Sequence, residues 1–444
     1  MKNNPPLMID HRRVWLLAGP MILSNITVPL VGIVDTAVIG HMGSENGIGA
    51  VALGALIFSF LYWGFGFLRM GTSGFVARAY GRQDYTEITQ LLQRSLLVAL
   101  FFSLLVLLAS SPLLSLSIYF LQSTPEIEGL TLDYAQIRIL SAPATLSLYV
   151  ITGFFIGLHN TRMALWVQLV LNLLNVILDF LFVMYLDMGV TGVAWASVIA
   201  EYVAMIFGVY LIVKKFDFAI SKPKWATLIE KSALVSMLSI NSHIFLRTMC
   251  LVFSFAWFTH VSAQFGPTVL AANAILIHYL SMAAYALDGF ANAAEAAAGS
   301  AYGASHQTAF VHNVKITSQW AFLCGLSITI VYALFGSQIL GLFTDLSHVL
   351  EEAKNYLIWM IVAPVISVAS YQLDGIFIGT GQTRLMAYAM IASTVCYLIL
   401  LQFLIPLWGN HGLFMGLMIF MVLRALTLGG IYPRVVKSID PLHN

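Results

Sequence analysis

Long apolar runs constrain this chain before any motif is considered. Twelve stretches of mostly apolar residues follow one another, near 14–40, 48–72, 93–120, 135–158, 163–186, 190–213, 233–261, 268–300, 316–343, 355–379, 385–408 and 412–433. Roughly 20 such residues in a helix cross a bilayer core. No soluble domain fits between or beyond the runs. Composition agrees, with 59% of residues hydrophobic and 9% charged, against about 25% charged in an ordinary soluble domain. The sequence therefore specifies an all-α integral membrane protein with twelve transmembrane helices.

Charge orients these spans. Lys and Arg collect on the cytoplasmic side of membrane proteins. Here Arg12 and Arg13 precede span 1, and Arg78, Arg82, Arg94, Arg162, Lys214, Lys215, Lys222, Lys224, Lys231, Lys315 and Arg384 mark the even connections. Arg434 and Lys437 follow the last span, whereas the odd connections hold Glu45, Glu126, Glu128, Asp133, Asp187, Asp345, Glu351 and Glu352, with Lys354 the exception. Both termini are expected in the cytoplasm. The first apolar run carries no small-residue cleavage site of the signal-peptide type and is expected to stay in the mature protein. A balance of 21 basic against 20 acidic residues argues against a nucleic-acid partner, which needs a basic face. Cys250, Cys324 and Cys396 stand far apart in apolar runs and read as small core or lipid-facing residues.

The chain repeats itself. Tyr149–Arg162 (YVITGFFIGLHNTR) and Tyr371–Arg384 (YQLDGIFIGTGQTR) agree at seven of fourteen positions, at a shift of 222. The same shift aligns Ala79-Tyr80-Gly81 with Ala301-Tyr302-Gly303, and a shift of 221 aligns Ala142-Pro143 with Ala363-Pro364. Two six-span halves follow: an N-lobe over 1–213, a basic cytoplasmic linker over 214–231 and a C-lobe over 232–444. Six spans per half give both halves one orientation, related by an axis along the membrane normal. Parallel repeats of this kind are found in secondary transporters, whose binding site lies between the halves.

Ionisable groups at membrane depth are costly unless paired or hydrated, so each is a functional candidate. The N-terminal half holds Asp35, Arg69, Arg138, Asp179 and Glu201; the C-terminal half holds Arg247, Asp288, Glu295, Asp374 and Arg424. Asp35 follows Pro20 and Pro29 in span 1, and proline weakens the helical ladder, so this helix can have two shapes. A carboxyl out of water favours its neutral form and can take up and release a proton. The bland alternative is static pairing of Asp35 with Arg69 or Arg138. In span 5, Asn172, Asn175 and Asp179 share a face at i, i+3 and i+7, a polar stripe suited to a wet cavity or, more plainly, to hydrogen bonds between packed helices. At a similar depth to Asp35, Asp179 could share a proton with it. Glu295 lies among small residues two turns after Asp288, expected at a helix contact beside Arg247, as an ion pair or a coupling site. Asp374 falls in the inward third of span 10, within reach of cytoplasmic water. Eighteen Met and 29 Phe would suit flat lipophilic cations if they line a cavity, but the bland reading is packing. No phosphate-binding GxxxxGK[ST] loop, HExxH zinc motif or covalent-catalysis constellation occurs, so an enzyme is not expected, nor a resident metal or cofactor.

Taken in order, GPMILSNI and VDTAVIGHMGS in span 1, ARAYGRQD after span 2, GFFIGLHNTR after span 4, LNVILD in span 5, GVTGVAWASVIAEY opening span 6, LDGFANAAEAAAGSAYG in span 8 and LDGIFIGTGQTR in span 10 resemble the multidrug and toxic compound extrusion (MATE) transporters, in the bacterial branch related to DNA-damage-inducible protein F. The resemblance covers essentially the whole chain. It implies two six-helix lobes in a V that export mostly lipophilic cations in exchange for H+ or Na+. It implies that Asp35 couples to protons, that span 1 bends about Pro20, and that Asn175 and Asp179 join the same N-lobe network. Ser197 stands where relatives have a small hydroxyl residue, and Glu295 and Asp374 match acids of this branch. Other branches carry a glutamate in span 7, whereas span 7 here has Arg247 and no acid, which tilts the expectation from Na+ to H+.

The resulting expectation is a bacterial inner-membrane H+ antiporter, monomeric, for small lipophilic or cationic substrates, with membrane lipid as its other partner. Asp35, Asp179 and Asn175 would couple protons; Asn172, Ser197, Glu295, Asp374, Asp288 and Arg247 are cavity candidates. A Na+-coupled or citrate-like organic-anion exporter stands as the alternative, with Arg69, Arg247 and Arg424 as anion-binding candidates. A flippase for a lipid-linked precursor would need a cation-dominated cavity, whereas intramembrane acids outnumber arginines six to four. A channel or sensor, the remaining rival, would show no stoichiometric exchange.

Overall fold

The computed structural model describes residues 7–41, 44–121, 123–216 and 228–439, and every regular element among them is helical. Among the described residues, eleven helices are long and apolar enough to cross a membrane: α1 His11–His41, α2 Glu45–Gly81, α3 Tyr85–Leu108, α4 Pro125–Gly157, α5 Thr161–Tyr185, α6 Gly189–Lys215, α7 Lys231–Gln264, α8 Pro267–Gly303, α9 Gln307–Leu340, α10 Ser347–Thr380 and α11 Thr383–Lys437. The 55 residues of α11 would reach about 80 Å as one straight rod at ~1.5 Å per residue, far beyond a ~30 Å bilayer core. Gly409 breaks that rod with φ 55° and ψ −131°, a conformation open essentially to glycine alone. The two arms of α11 are spans 11 and 12. Span 3, read as one run over 93–120, is interrupted at Ala109, and a short helix Ser110–Leu121 follows. Pro112 supplies the reason, since its ring clashes with the carbonyl four residues back and ends the helix there.

The chain forms two compact units, Leu23–Leu238 and a second that joins Pro5–Ile22 to Ser239–Asn444. Residues 217–227 of the expected linker lie outside the described residues. The start of α1 thus packs with the C-terminal half. Asn313 on α9 clasps the segment before α1: its Oδ1 accepts from the Ile9 amide at 3.0 Å, and its Nδ2 donates to the Leu7 carbonyl at 2.9 Å. Trp320 donates to His11 Nδ1 at 3.0 Å, and Trp15 packs edge-on against Phe290 and Trp320. Val14, Leu17 and Ala18 complete this core with Leu287 and Phe290. Three residues beyond Pro20, at Leu23, α1 passes into the first unit.

The repeated motifs have a structural meaning in each unit. Gln83 and Ser305 are left-handed, as are His159 and Gly381, and as are Asp187 and Gly409; each pair is separated by 222 residues. At the first two pairs the chain closes the same six-to-one cap, with Asp84 N on Ala79 O, Asn160 N on Phe155 O, His306 N on Ala301 O and Gln382 N on Phe377 O. This is the Schellman geometry that ends a helix. GFFIG and GIFIG serve close approach. A side chain at Gly153 would strike the Arg69 carbonyl, and one at Gly157 the Ser73 carbonyl; at Gly375 and Gly379 the obstacles are the carbonyls of Ala291 and Glu295. All four contacts match at the 222-residue shift. The α2–α4 crossing in the first unit and the α8–α10 crossing in the second are therefore one glycine-spaced contact made twice.

Candidate functional site

In the first unit, polar side chains of α1, α5 and α6 converge. Asp35 is buried, Asp179 fully so, and their side chains lie within hydrogen-bonding reach of each other. No described protein donor serves the Asp35 Oδ1 or either oxygen of Asp179. One helical turn before Asp179, Asn175 donates to the Ser197 hydroxyl at 3.2 Å, while its own Oδ1 is buried without a partner. Asn172 accepts from Gln168 at 2.8 Å and leaves its Nδ2 unpartnered. The helix changes character at this place: α-helical hydrogen bonding stops at Asp179 and a π-helical turn occupies Phe180–Tyr185. Such turns insert a residue into the ladder and occur frequently at functional sites. Two buried carboxyls at this distance repel when both are ionised. A single proton held between them converts the repulsion into a hydrogen bond. Chemically, two carboxyls so placed can hold one proton between them and release it.

The cation whose charge acts on Asp35, Arg138, is otherwise engaged. Arg138 donates from Nη2 to Glu201 Oε1 at 2.5 Å and from Nη1 to the Ser141 hydroxyl, and Thr145 donates to the other Glu201 oxygen. Tyr62 joins the Ser141 hydroxyl at 3.1 Å, and the Arg138 guanidinium lies over the Phe58 and Tyr62 rings. This cluster forms where α4 tightens to a 3-10 turn over Ile139–Ser141, ahead of Pro143. Tyr202 donates to the Leu140 carbonyl at that break, at 3.0 Å. Static pairing of Asp35 with Arg138 is therefore replaced by pairing of Glu201 with Arg138. Sequence reading listed Arg138 and Glu201 as membrane charges but had no signal for Tyr62, Ser141 and Thr145, which are ordinary hydroxyl residues in apolar helices.

The second unit treats its acid differently. Asp374 on α10 accepts through Oδ2 from both Arg247 on α7 and Arg424 on α11, the latter at 2.5 Å. All three are buried, at 4%, 6% and 2% exposure, so Asp374 faces two guanidinium groups rather than cytoplasmic water. Arg424 also lies over the Phe420 and Tyr371 rings. The charge of Asp288 acts on Arg247, which brings Arg247, Asp288, Asp374 and Arg424 into one neighbourhood. Glu295 is buried on α8, where its carbonyl abuts Gly379, and Arg247 pairs with Asp374 instead of Glu295. Among the described residues, no three of His, Cys, Asp and Glu gather at a spacing that could hold a metal ion.

The MatE family model matches this chain twice, over residues 20–181 and 244–403. DNA damage-inducible protein F of Escherichia coli (strain K12) is 36% identical over 428 residues, covering 96% of this chain and 93% of that protein. Among solved structures, a MATE protein in the straight conformation superposes with a TM-score of 0.89 at 19% identity, covering 98% of this chain and 99% of the other. A MATE protein in the bent conformation gives 0.88 at 20% identity, with 98% of each chain covered.

Proposed function

The chain belongs to the MatE family of multidrug and toxin extrusion transporters, and from that premise we propose that it exchanges lipophilic or cationic organic compounds for H+ across a bacterial inner membrane, with both termini in the cytoplasm. The observation that carries this reading is the Asp35–Asp179 pair, two buried carboxyls in mutual reach that make no ion pair with any described residue. Uptake of one proton removes their repulsion and loss of it restores the repulsion, so occupancy by H+ is coupled to the free energy of the helices that hold them. One of those helices is α1, which packs its start in the second unit and carries Asp35 in the first. A change of shape near Pro20 on protonation would transmit the event between the two halves. Asn175, Ser197 and Asn172 continue the polar surface and supply partners for a polar substrate group or water. In the second unit, the two guanidinium groups on Asp374 support H+ over Na+ as the coupling ion, because a cation site there would have to displace both.

Purified protein in liposomes tests this. An imposed pH gradient should drive a lipophilic cation dye in wild type, and Asp35→Asn and Asp179→Asn should each abolish that movement. Unaltered pH-driven transport in Asp35→Asn refutes the reading, and movement under a Na+ gradient alone replaces the proton with sodium.

A further inference from the structure

An open groove of about 530 Å³ lies between the first turns of α5 and the last turns of α6, lined by Asn160, Arg162, Trp166, Phe207, Leu211 and Lys215 among others. These helices are consecutive and antiparallel, so Arg162 at the start of one and Lys215 at the end of the other stand at the same membrane level. Neither makes an ion pair with any described residue, and the groove lining contains no acid. Lys214, next in sequence, is occupied with the Tyr210 hydroxyl at 2.8 Å. Toward the membrane middle the wall is apolar, built from Trp166, Phe207 and Leu211.

The internal repeat supplies a comparison within the molecule. The counterparts of Arg162 and Trp166, 222 residues on, are Arg384 and Tyr388, and there the arginine donates to its own helix neighbour Tyr388 at 3.2 Å with its guanidinium over that ring. The counterparts of Phe207 and Leu211 are Gly429 and Pro433, which cannot build the same apolar wall. Both cations are repeated, Lys437 being the counterpart of Lys215, but at the second place the arginine is held on Tyr388, and only the first place backs the two cations with a wall of Trp166, Phe207 and Leu211.

We propose that this groove binds the headgroup of one anionic phospholipid. Arg162 and Lys215 take the phosphate, arginine through its planar pair of N–H donors and lysine as a point charge, while an acyl chain follows Trp166, Phe207 and Leu211. Tryptophan at the headgroup level is the usual membrane anchor, and basic pockets between membrane helices select anionic headgroups. Assignment to the inner leaflet rests on the orientation proposed above; the binding itself does not.

Native mass spectrometry of the full chain in detergent tests this, with phosphatidylglycerol, phosphatidylcholine of the same acyl chains and glycerophosphate as probes. Wild type should bind its first phosphatidylglycerol about 30-fold more tightly than R162Q/K215Q, about fivefold per cation removed near a membrane surface. R162K/K215R should retain binding, and R384Q should match wild type. Equal retention of phosphatidylcholine would mean a general lipid contact and overturns the proposal. So would unchanged phosphatidylglycerol binding in R162Q/K215Q, or capture of glycerophosphate as tight as that of the intact lipid. The count of bound lipids is blind to leaflet, so failure of the orientation leaves it unchanged.

Discussion

Asp374→Asn separates a structural charge cluster from a proton site. The substitution keeps the shape of the side chain and one oxygen acceptor but removes the only charge that both Arg247 and Arg424 donate to. Removing one partner from a buried ion pair costs about 3–5 kcal/mol, because the remaining charge is stranded out of water. Here two guanidinium groups are stranded, at 6% and 2% exposure. A remaining hydrogen bond from a charged group to the amide oxygen returns about 1.5–3 kcal/mol, and Asp288 still acts on Arg247. The expected net loss is about 3–6 kcal/mol of unfolding free energy, read by reversible denaturation in mixed detergent micelles. Replacing all three charges together, as Arg247→Met/Asp374→Leu/Arg424→Met, should recover at least half of that, since a buried cluster exchanged for apolar groups is often neutral. Asp35→Asn breaks no ion pair and should stay within about 1 kcal/mol of wild type while losing pH-driven transport. A single Asp374→Asn variant as stable as wild type, or a triple variant no better than the single, would refute the reasoning.

Three further outcomes follow from named contacts. Gly375→Ala should destabilise by about 1–3 kcal/mol or more, because the obstacle to its methyl is the Ala291 backbone carbonyl. Gly129→Ala, whose added carbon meets nothing within 4 Å, should stabilise by up to about 1 kcal/mol in the same denaturation assay. Thr145→Val removes a hydroxyl donor from Glu201 and should cost about 1–2 kcal/mol with the pH dependence of transport unchanged; an altered pH profile would place Glu201 in the proton path.

The spans, the repeat and the polar stripe of α5 were legible because they are local. A run of apolar residues, a 222-residue self-match and an i, i+3, i+7 spacing depend only on neighbours along the chain. Even the twelfth span was countable, although Gly409 alone turns one 55-residue helix into two passes. The repeat motif, strong enough to suggest two matched halves, proved to be a set of helix caps and a glycine-spaced crossing, while the ionisable residues at membrane depth do not obey it. The 222-residue counterparts of Asp35, Asp179 and Glu201 are Trp257, Leu401 and Leu423. Backbone geometry is repeated, and the charges at membrane depth are not.

Which charge meets which was decided only in three dimensions. Six acids and four arginines at membrane depth allow many pairings, and nothing along the chain distinguishes Glu201 from Asp35 as the partner of Arg138. Packing does so, by placing α4 and α6 with Thr145 and Ser141 between them. The same holds for Asp374, whose two arginines come from positions 127 and 50 residues away. Sequence fixes how deep a charge sits, because depth follows from hydropathy along one helix. Whether that charge is neutralised or left to hold a proton depends on side chains from distant helices, and only the tertiary fold brings those together.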